Sequence, residues 1–282
     1  MTRDFLKMHG LGNDFVVIDA RQQPYAPAEA EVRAIADRKT GVGCDQFIVV
    51  EPPRTAGSAA LMRIRNADGG EVEACGNAAR CVGWLLMEET GADRAVFETV
   101  CGPLEARRAG KDLVTVDMGP ARLEWTAIPL AGAQDTLHLP IDQGGVSDPV
   151  AVNMGNPHCV FFVDDAEAVP VDRIGPGLEH HPLFPERTNV EFATVLSPTR
   201  IRMRVWERGV GITRACGTGA CATLVAAARR GLTERKADVV LDGGTLTIEW
   251  TEDGRVLMTG PVAVAFTGRL SSDLSSADPV AV

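Results

Sequence analysis

Short β-branched and apolar runs, cut by Gly, Asn, Asp and Pro, dominate the chain. FVVIDA (15–20), FIVVEP (47–52), LMRIRN (61–66), AVFET (95–99) and LVTVDM (113–118) predict strands in the first half. AVNMG (151–155), CVFFV (159–163), NVEFATV (189–195), IRMRVWE (201–207), VVLDG (239–243), LTIEW (246–250) and RVLMTGPV (255–262) predict strands in the second. Short polar turns such as TEDGR (251–255) join several of them. That favours mixed, largely antiparallel sheets over a strict βαβ alternation. Helical periodicity is rarer. AEAEVRAIADR (28–38) is amphipathic. GNAARCVGWLLMEETG (76–91) and GTGACATLVAAARRG (217–231) are apolar around nearly the whole circumference of their first turns, which predicts helices buried on all sides. Both close on charged residues and then a glycine, Gly91 and Gly231, a stop signal.

The two buried helices open on one phrase. ACGNAARC (74–81) and ACGTGACA (215–222) each carry Ala-Cys-Gly, and Gly70 and Gly211 each lie five residues before the cysteine. The order of strands, Gly-containing loop, Ala-Cys-Gly, helix and further strands occurs twice. This predicts an internal duplication of a whole domain, with the boundary near MGPARLEW (118–125). The tail SSDLSSADPVAV (271–282) is polar and expected to fray.

Composition narrows the field. A chain of 282 residues suits two domains, and 45% hydrophobic content is enough for two cores. The net charge of −10 leaves no basic stripe for a nucleic-acid partner. No apolar run is long enough for a membrane span, and MTRDFLKMHG lacks the apolar stretch of a signal peptide. Seven cysteines, an odd number without C-x-x-C, point to a reduced, cytoplasmic protein. Their spacing fits no zinc site, so no metal is expected. None of the lysines, Lys7, Lys39, Lys111 and Lys236, lies in a Gly-rich phosphate loop, which argues against pyridoxal chemistry. GTGACA loosely matches a dinucleotide fingerprint, but the strand before it ends near Glu207, too early for that role.

A cysteine at a helix start feels the positive end of the helix dipole and the unbonded backbone N–H groups. Both stabilise a thiolate, so a lowered thiol pKa is expected. The Gly-Asn and Gly-Thr that follow offer backbone N–H groups to an anion such as a carboxylate. Two such sites facing each other across a domain cleft suit inversion at an α-carbon. A thiolate takes the proton from one face and a thiol returns it on the other. The helix ends stabilise the charge that develops on the carboxylate. Glu207 and Arg208, side by side, suit the ammonium and the carboxylate of a zwitterion. Cys81, Cys101, Cys159 and Cys221 are read as ordinary small hydrophobes.

HGLGNDF (9–15), GVGCDQ (41–46), RNADGG (65–70) with ACGN, NMGNPH (153–158), RTNVEF (187–192), WERGVG (206–211) with ACGTGACA, and GPV (260–262) occur in that order. Together they resemble the diaminopimelate epimerase family over nearly the whole chain. The resemblance implies interconversion of LL- and meso-diaminopimelate, in lysine and peptidoglycan precursor synthesis, without metal or other cofactor. It implies Cys75 and Cys216 as the catalytic base and acid, and His158 and Glu207 as the groups that tune their pKa values. Gly76, Asn77, Gly217 and Thr218 would hold the reacting carboxylate. Asn13, Gln46 and Glu207 would meet the reacting ammonium. Asn66, Asn156, Asn189 and Arg208 would read the distal centre. The implied fold is α+β, with two pseudo-symmetric domains, each a barrel-like sheet around a central helix, and the active site in the cleft between them. The domains would be 1–118 with 264–275, and 119–263, followed by a tail, 276–282. A homodimer is implied, with no nucleic-acid or membrane partner. The chain departs from the family's usual pattern at Gly70, where serine is usual, at Ala78, where glycine is usual, and at Cys159, where alanine is common. The alternatives are a proline- or hydroxyproline-type epimerase of the same fold and a non-catalytic amino-acid-binding protein. The second has no use for two cysteines.

Overall fold

The computed structural model describes residues 2–72 and 75–271. Most of the tail expected to fray, including 276–282, lies outside the described residues. The chain divides into two compact units. Unit 1 comprises the residues up to Val116 together with those from Gly260 onward, and unit 2 comprises Asp117–Thr259.

In unit 1, β1 (Arg3–Gly10) pairs antiparallel with β2 (Asn13–Asp19). Helix α1 (Glu29–Ala36) crosses back, and β3 (Gln46–Glu51) lies parallel to β2. β4 (Leu61–Asn66) is antiparallel to β3, and the short β5 (Glu71–Val72) is antiparallel to β4. Helix α2 (Gly76–Thr90) leads to β6 (Arg94–Thr99), parallel to β4, then to antiparallel β7 (Gly102–Gly110) and β8 (Leu113–Pro120).

After a small hairpin, β9 (Asp142–Gln143) and β10 (Val146–Ser147), unit 2 repeats the plan. β11 (Val150–Asn153) pairs antiparallel with β12 (Pro157–Phe162). Helix α3 (Val171–Glu179) crosses to β13 (Asn189–Ser197), parallel to β12. β14 (Arg200–Glu207) is antiparallel to β13, and the short β15 (Gly211–Ile212) is antiparallel to β14. Helix α4 (Gly217–Arg229) leads to β16 (Lys236–Leu241), parallel to β14, then to antiparallel β17 (Gly244–Trp250) and β18 (Arg255–Pro261). The last strand, β19 (Ala263–Leu270), pairs with β1.

The expected α+β architecture of two similar units is therefore present, and its duplication extends to the register. Phe15 pairs with Gln46 as His158 pairs with Asn189, and Arg65 pairs with Glu71 as Trp206 pairs with Ile212. Helix α4 packs against six strands, β11 to β14, β16 and β17, and α2 against β1, β6 and β7. Every residue from Gly76 to Gly83 and from Gly219 to Ala227 is buried. The all-round apolar pattern thus reports a helix enclosed by its sheet. Gly91 and Gly231 take positive φ, 69° and 68°, and end these helices as expected.

The pattern did not predict β1, β5, β7, β9, β10, β15, β19 or α3. Most of these strands are two-residue pairings or carry charged and exposed positions. In β19, Val264, Ala265, Phe266 and Thr267 are all exposed, so no alternation marks it. In α3, Gly175, Pro176 and Gly177 disguise a helix that buries Val171 and Leu178 against Phe161 and Phe192. Gly175 has a packing reason, because a Cβ there would lie 2.6 Å from the Trp206 ring. Helix α1 stops at Ala36, short of the expected Arg38, because the Asp37 carboxylate takes the amides of Lys39 and Thr40 at 2.8 and 2.7 Å.

Candidate active site

The first group of site residues is built on the ends of β2, β3 and β4 and the start of α2. Leu11 and Gly12 join β1 to β2 with positive φ at both, 58° and 83°. That is the two-residue turn whose twist matches a hairpin, and it sets Asn13 opposite Gly10. Cys75, half-buried and extended, precedes α2. Its Sγ donates to Asn13 Oδ1 at 3.7 Å, and Asn77 Nδ2 donates to the same oxygen at 3.2 Å. Asn13 Nδ2 donates to Asp45 Oδ2 at 3.1 Å. Arg80, fully buried one turn into α2, donates to Asn77 Oδ1 at 2.8 Å. Gly10 leaves room for this side chain, since a Cβ there would lie 2.8 Å from the Arg80 guanidinium. Gln46 and Asn66 are cross-strand neighbours, and Gln46 Nε2 donates to Asn66 Oδ1 at 3.1 Å. Gln46 Oε1 is buried with no partner among the described residues. Beneath them, burial would raise the Asp14 carboxyl, but Arg38 and Lys7 outweigh it and hold the group well below the usual range.

The second group stands on the matching elements of unit 2. Cys216 is only 5% exposed, and its Sγ accepts from Gly219 N at 3.3 Å and lies 3.6 Å from Thr218 Oγ1. Glu207, at the end of β14, accepts from the Thr213 hydroxyl and reaches the Cys216 thiol. His158 and Glu191 are both fully buried. The imidazole bridges Glu191 Oε1 at 2.7 Å and Asn156 Oδ1 at 2.8 Å. Asn189 donates to Pro157 O at 2.9 Å and accepts from the Arg208 amide at 3.0 Å. The Arg208 guanidinium donates to Glu186 O at 3.1 Å. Buried Glu179 accepts from Trp206 Nε1 at 2.7 Å and Gly209 N at 2.9 Å, which pins the corner that carries Glu207 and Arg208.

The expectation of a lowered thiol pKa fails at Cys216. Burial comes first, and the Glu207 and Glu191 carboxylates add to it. The hydrogen bonds from Thr218 and Gly219 do not offset them, so the thiol is held well above its ordinary value. Glu207 is itself raised, mainly by burial, against the hydrogen bonds of Thr213 and Cys216. The helix start still acts on the sulfur, but through the Gly219 amide, which is thereby taken up rather than left for an anion. The reading as small hydrophobes holds for buried Cys81, Cys159 and Cys221, where burial pushes Cys81 up to about 12 and Cys159 well above the ordinary range, and it fails for Cys101, which is exposed. Among the described residues no three His, Cys, Asp or Glu side chains gather as a metal would need.

In unit 1, Asn13, Asn77 and Cys75 form one hydrogen-bonded cluster, Gly76 stands between Cys75 and Asn77, and Gln46 and Asn66 pair across adjoining strands. In unit 2, Glu207 and Thr218 meet Cys216 at the Gly217 helix start, while Asn156 holds His158 and Asn189 holds the Arg208 backbone. Sequence reasoning missed Asp45, Arg80, Glu179, Glu191 and Thr213. Glu191 had a usable signal, as a lone carboxylate inside the apolar run NVEFATV. Arg80 had one too, as the charged residue in the otherwise apolar start of α2.

Comparison with known proteins bears on the family and the fold. The sequence profile described as diaminopimelate epimerase matches residues 5–124 and 150–265. The chain is 62% identical to the diaminopimelate epimerase of Rhodospirillum centenum, over 97% of this chain and 94% of that one. It is 60% identical to the diaminopimelate epimerase of Phenylobacterium zucineum, over 96% and 98%. Among solved structures, a phenazine biosynthesis protein of the PhzF family from Enterococcus faecalis superposes with a TM-score of 0.71 at 16% identity, over 96% of this chain and 100% of that one. A hydroxyproline epimerase from Agrobacterium vitis superposes with a TM-score of 0.68 at 17% identity, over 99% and 94%. These two share the fold. With full-length identity far above the level at which a family is shared, the chain belongs to the diaminopimelate epimerase family.

Proposed function

We propose that the protein is an isomerase that interconverts LL- and meso-diaminopimelate, with Cys75 and Cys216 as the paired base and acid. One observation carries the assignment of the pair. Two cysteines occupy the same position before two enclosed helices of a register-matched duplication, and each is wrapped by polar groups that a packing cysteine does not need. In this reading the two sulfurs act on opposite faces of one α-carbon, one as thiolate and one as thiol, and exchange roles when the substrate's hand reverses. The helix starts at Gly76-Asn77 and Gly217-Thr218 receive the reacting carboxylate and stabilise its growing charge. Asn13 Oδ1, Gln46 Oε1 and the Glu207 carboxylate are acceptors suited to the reacting ammonium. Asn66, Asn156, Asn189 and Arg208 serve the distal amino-acid centre, and the Arg208 fork suits its carboxylate. His158 and Glu207 set the protonation of the Cys216 side. The scheme uses the chain's own side chains and backbone N–H groups, without metal or pyridoxal.

Lysine and peptidoglycan precursor synthesis in the cytoplasm is the setting we infer. The charge of −10 and the lack, among the described residues, of a helix long and apolar enough to cross a membrane are consistent with it. A homodimer is part of the same reading, and exposed Val264 and Phe266 on β19 offer apolar surface for it. The deciding experiment incubates the protein with LL-diaminopimelate in deuterium oxide. The product should be meso-diaminopimelate carrying one α-deuteron, and proline should be left untouched. Turnover of proline with no change in diaminopimelate would overturn the substrate assignment.

A further inference from the structure

The polar chain beside Cys75 has a direction. Arg80 is a donor without an acceptor atom, and an ionised Asp45 is an acceptor without a donor. Between them lie two amides, each of which could face either way. Arg80 donates to Asn77 Oδ1 at 2.8 Å, which commits the Asn77 NH2 to Asn13 Oδ1 at 3.2 Å. Asp45 Oδ2 takes the Asn13 NH2 at 3.1 Å, which commits the same Asn13 oxygen to face back. Both ends therefore demand one arrangement. Its outcome is that Asn13 turns its oxygen, not its NH2, toward Cys75 Sγ, 3.7 Å away.

We propose that Arg80 and Asp45 are positioning residues that polarise the chain Arg80→Asn77→Asn13→Asp45 and so present the Asn13 carbonyl oxygen to the reacting ammonium of the substrate. This rests on the reading that Asn13 and Cys75 serve the reacting centre. An ammonium only donates, so a reversed Asn13 would set NH2 against NH3⁺ and leave the substrate short of an acceptor. The arrangement is supported from both sides. Arg80 is fully buried and fixed beside Gly10. Asp45 is exposed but doubly anchored: its Oδ2 also accepts from Asp14 N at 3.1 Å, and its Oδ1 pairs with Arg38 at 2.6 Å.

Isosteric exchanges test the direction without changing volume. In the parent, Asp45→Asn still lets an oxygen turn toward Asn13, so KM for diaminopimelate should rise by only about threefold, a modest hydrogen-bond loss. Asn13→Asp alone sets two carboxylates together and should raise KM by about tenfold or more, which corresponds to repulsion plus a lost bond. Adding Asp45→Asn to Asn13→Asp gives the new carboxylate an amide donor in place of a like charge. It should recover at least about fivefold of that loss, a coupling of ordinary size for contacting groups. The same substitution thus harms in one background and helps in the other, and both changes should fall on KM with the melting temperature held, a split that a merely structural Asp45 would not give. Arg80→Gln with Asp45→Asn frees both ends and should lose more than the product of the single losses. The isosteric pair keeps the question answerable if Arg80→Gln melts early. Equal factors for Asp45→Asn in both backgrounds would overturn the proposal. Failure of the parent to epimerise diaminopimelate would instead overturn the functional reading beneath it.

Discussion

Phe15 and Ile48 in unit 1 hold the register positions that His158 and Glu191 hold in unit 2. Both apolar side chains are fully buried, and so are both ionisable ones. The same frame therefore carries a hydrocarbon pair in one unit and an imidazole–carboxylate pair in the other. Other matched positions differ in the same sense. Asn66 stands where Glu207 stands, because each lies four residues before the matching glycine, Gly70 or Gly211, and their neighbours Arg65 and Trp206 pair alike. Arg80 stands where Cys221 stands, five residues after the site cysteine. Duplication preserved the backbone and the two sulfurs, while the charges around them diverged. Cys216 sits among carboxylates that hold it as a thiol, and Cys75 contacts the Asn13 amide, which is bonded in turn to Asn77 and through it to the Arg80 guanidinium. Symmetric geometry with asymmetric charge suits a reaction in which one sulfur gives a proton while the other takes one.

The most severe way to break this comparison is to remove either sulfur. Cys75→Ala and Cys216→Ala should each lower kcat for epimerisation by about a thousandfold, in the range of a lost acid or base. Thermal unfolding should change little for Cys75, which is half-buried, and more for fully packed Cys216. Retention of kcat within tenfold in either variant would remove that cysteine from the pair.

A milder change makes unit 2 imitate unit 1. His158→Phe with Glu191→Ile replaces a buried, hydrogen-bonded imidazole–carboxyl pair by the hydrocarbon pair of the other unit. Such replacements are often neutral or stabilising by about 1–4 kcal/mol, so the melting temperature should hold or rise. Epimerase kcat should still fall, by about a hundredfold if the pair tunes the acid–base chemistry. His158→Phe alone leaves the Glu191 carboxyl buried without its partner and should destabilise by about 3–5 kcal/mol. A double variant as unstable as the single one would show that the pair supports the fold rather than the chemistry.

Glu207 sharpens the electrostatic side of the comparison. Its charge helps to raise the Cys216 thiol, so Glu207→Gln should lower that pKa. The thiolate is the form that iodoacetamide attacks. In the parent, alkylation of Cys216 should stay slow until alkaline pH, above the ordinary thiol value of 9.0. In Glu207→Gln the rise should move to lower pH, read by mass mapping of the peptide that carries Cys216. The same shift has a stability sign. A raised folded pKa favours the protonated fold, a contribution fully present below the unfolded pKa and lost as pH climbs through the folded value. The parent should therefore lose melting temperature above pH 9 more steeply than Cys216→Ala. Identical alkaline slopes would show that the Cys216 proton is not held in this way.

Much of this frame is legible from pattern alone, because enclosed helices and two-face-buried strands write long apolar runs. The repeated Ala-Cys-Gly also marks both helix starts. Strand β19 is not legible, since four consecutive exposed residues leave no alternation, and α3 is masked by Gly175, Pro176 and Gly177. The site divides in the same manner. Cys75, Cys216, Glu207 and the asparagines lie in Gly- and Asn-rich stretches at strand ends and helix starts, which announce themselves. Glu191 and Asp45 act across strands on residues more than thirty positions away, and periodicity carries no information about such pairs. The helix-start argument for the thiol was physically sound but incomplete, because it counted the dipole and omitted the burial and the two carboxylates that outweigh it at Cys216.

The smallest effect comes from one more matched pair. Ala78 and Gly219 each lie three residues after the site cysteine, both buried within the first helical turn. Ala78→Gly restores the residue usual in the family but adds backbone freedom to a helix, at a cost of about 1 kcal/mol. Its packing partners lose only a methyl group, so kcat should stay within about twofold while the melting temperature falls by a few degrees. Gly219→Ala is the reverse exchange in the other unit, and it should not be mild. A Cβ there would lie 2.8 Å from Glu191 Oε1, where the other unit has the hydrocarbon of Ile48, and 3.2 Å from Cys216 Sγ. Either Glu191 turns from His158 or the sulfur leaves the Gly219 amide, so kcat should fall by about tenfold or more, as when one charged hydrogen bond is broken. If both exchanges proved equally harmless, the carboxylate beneath Cys216 would be a tolerant neighbour. The charge difference between the two units would then have no part in how the sulfurs divide their work.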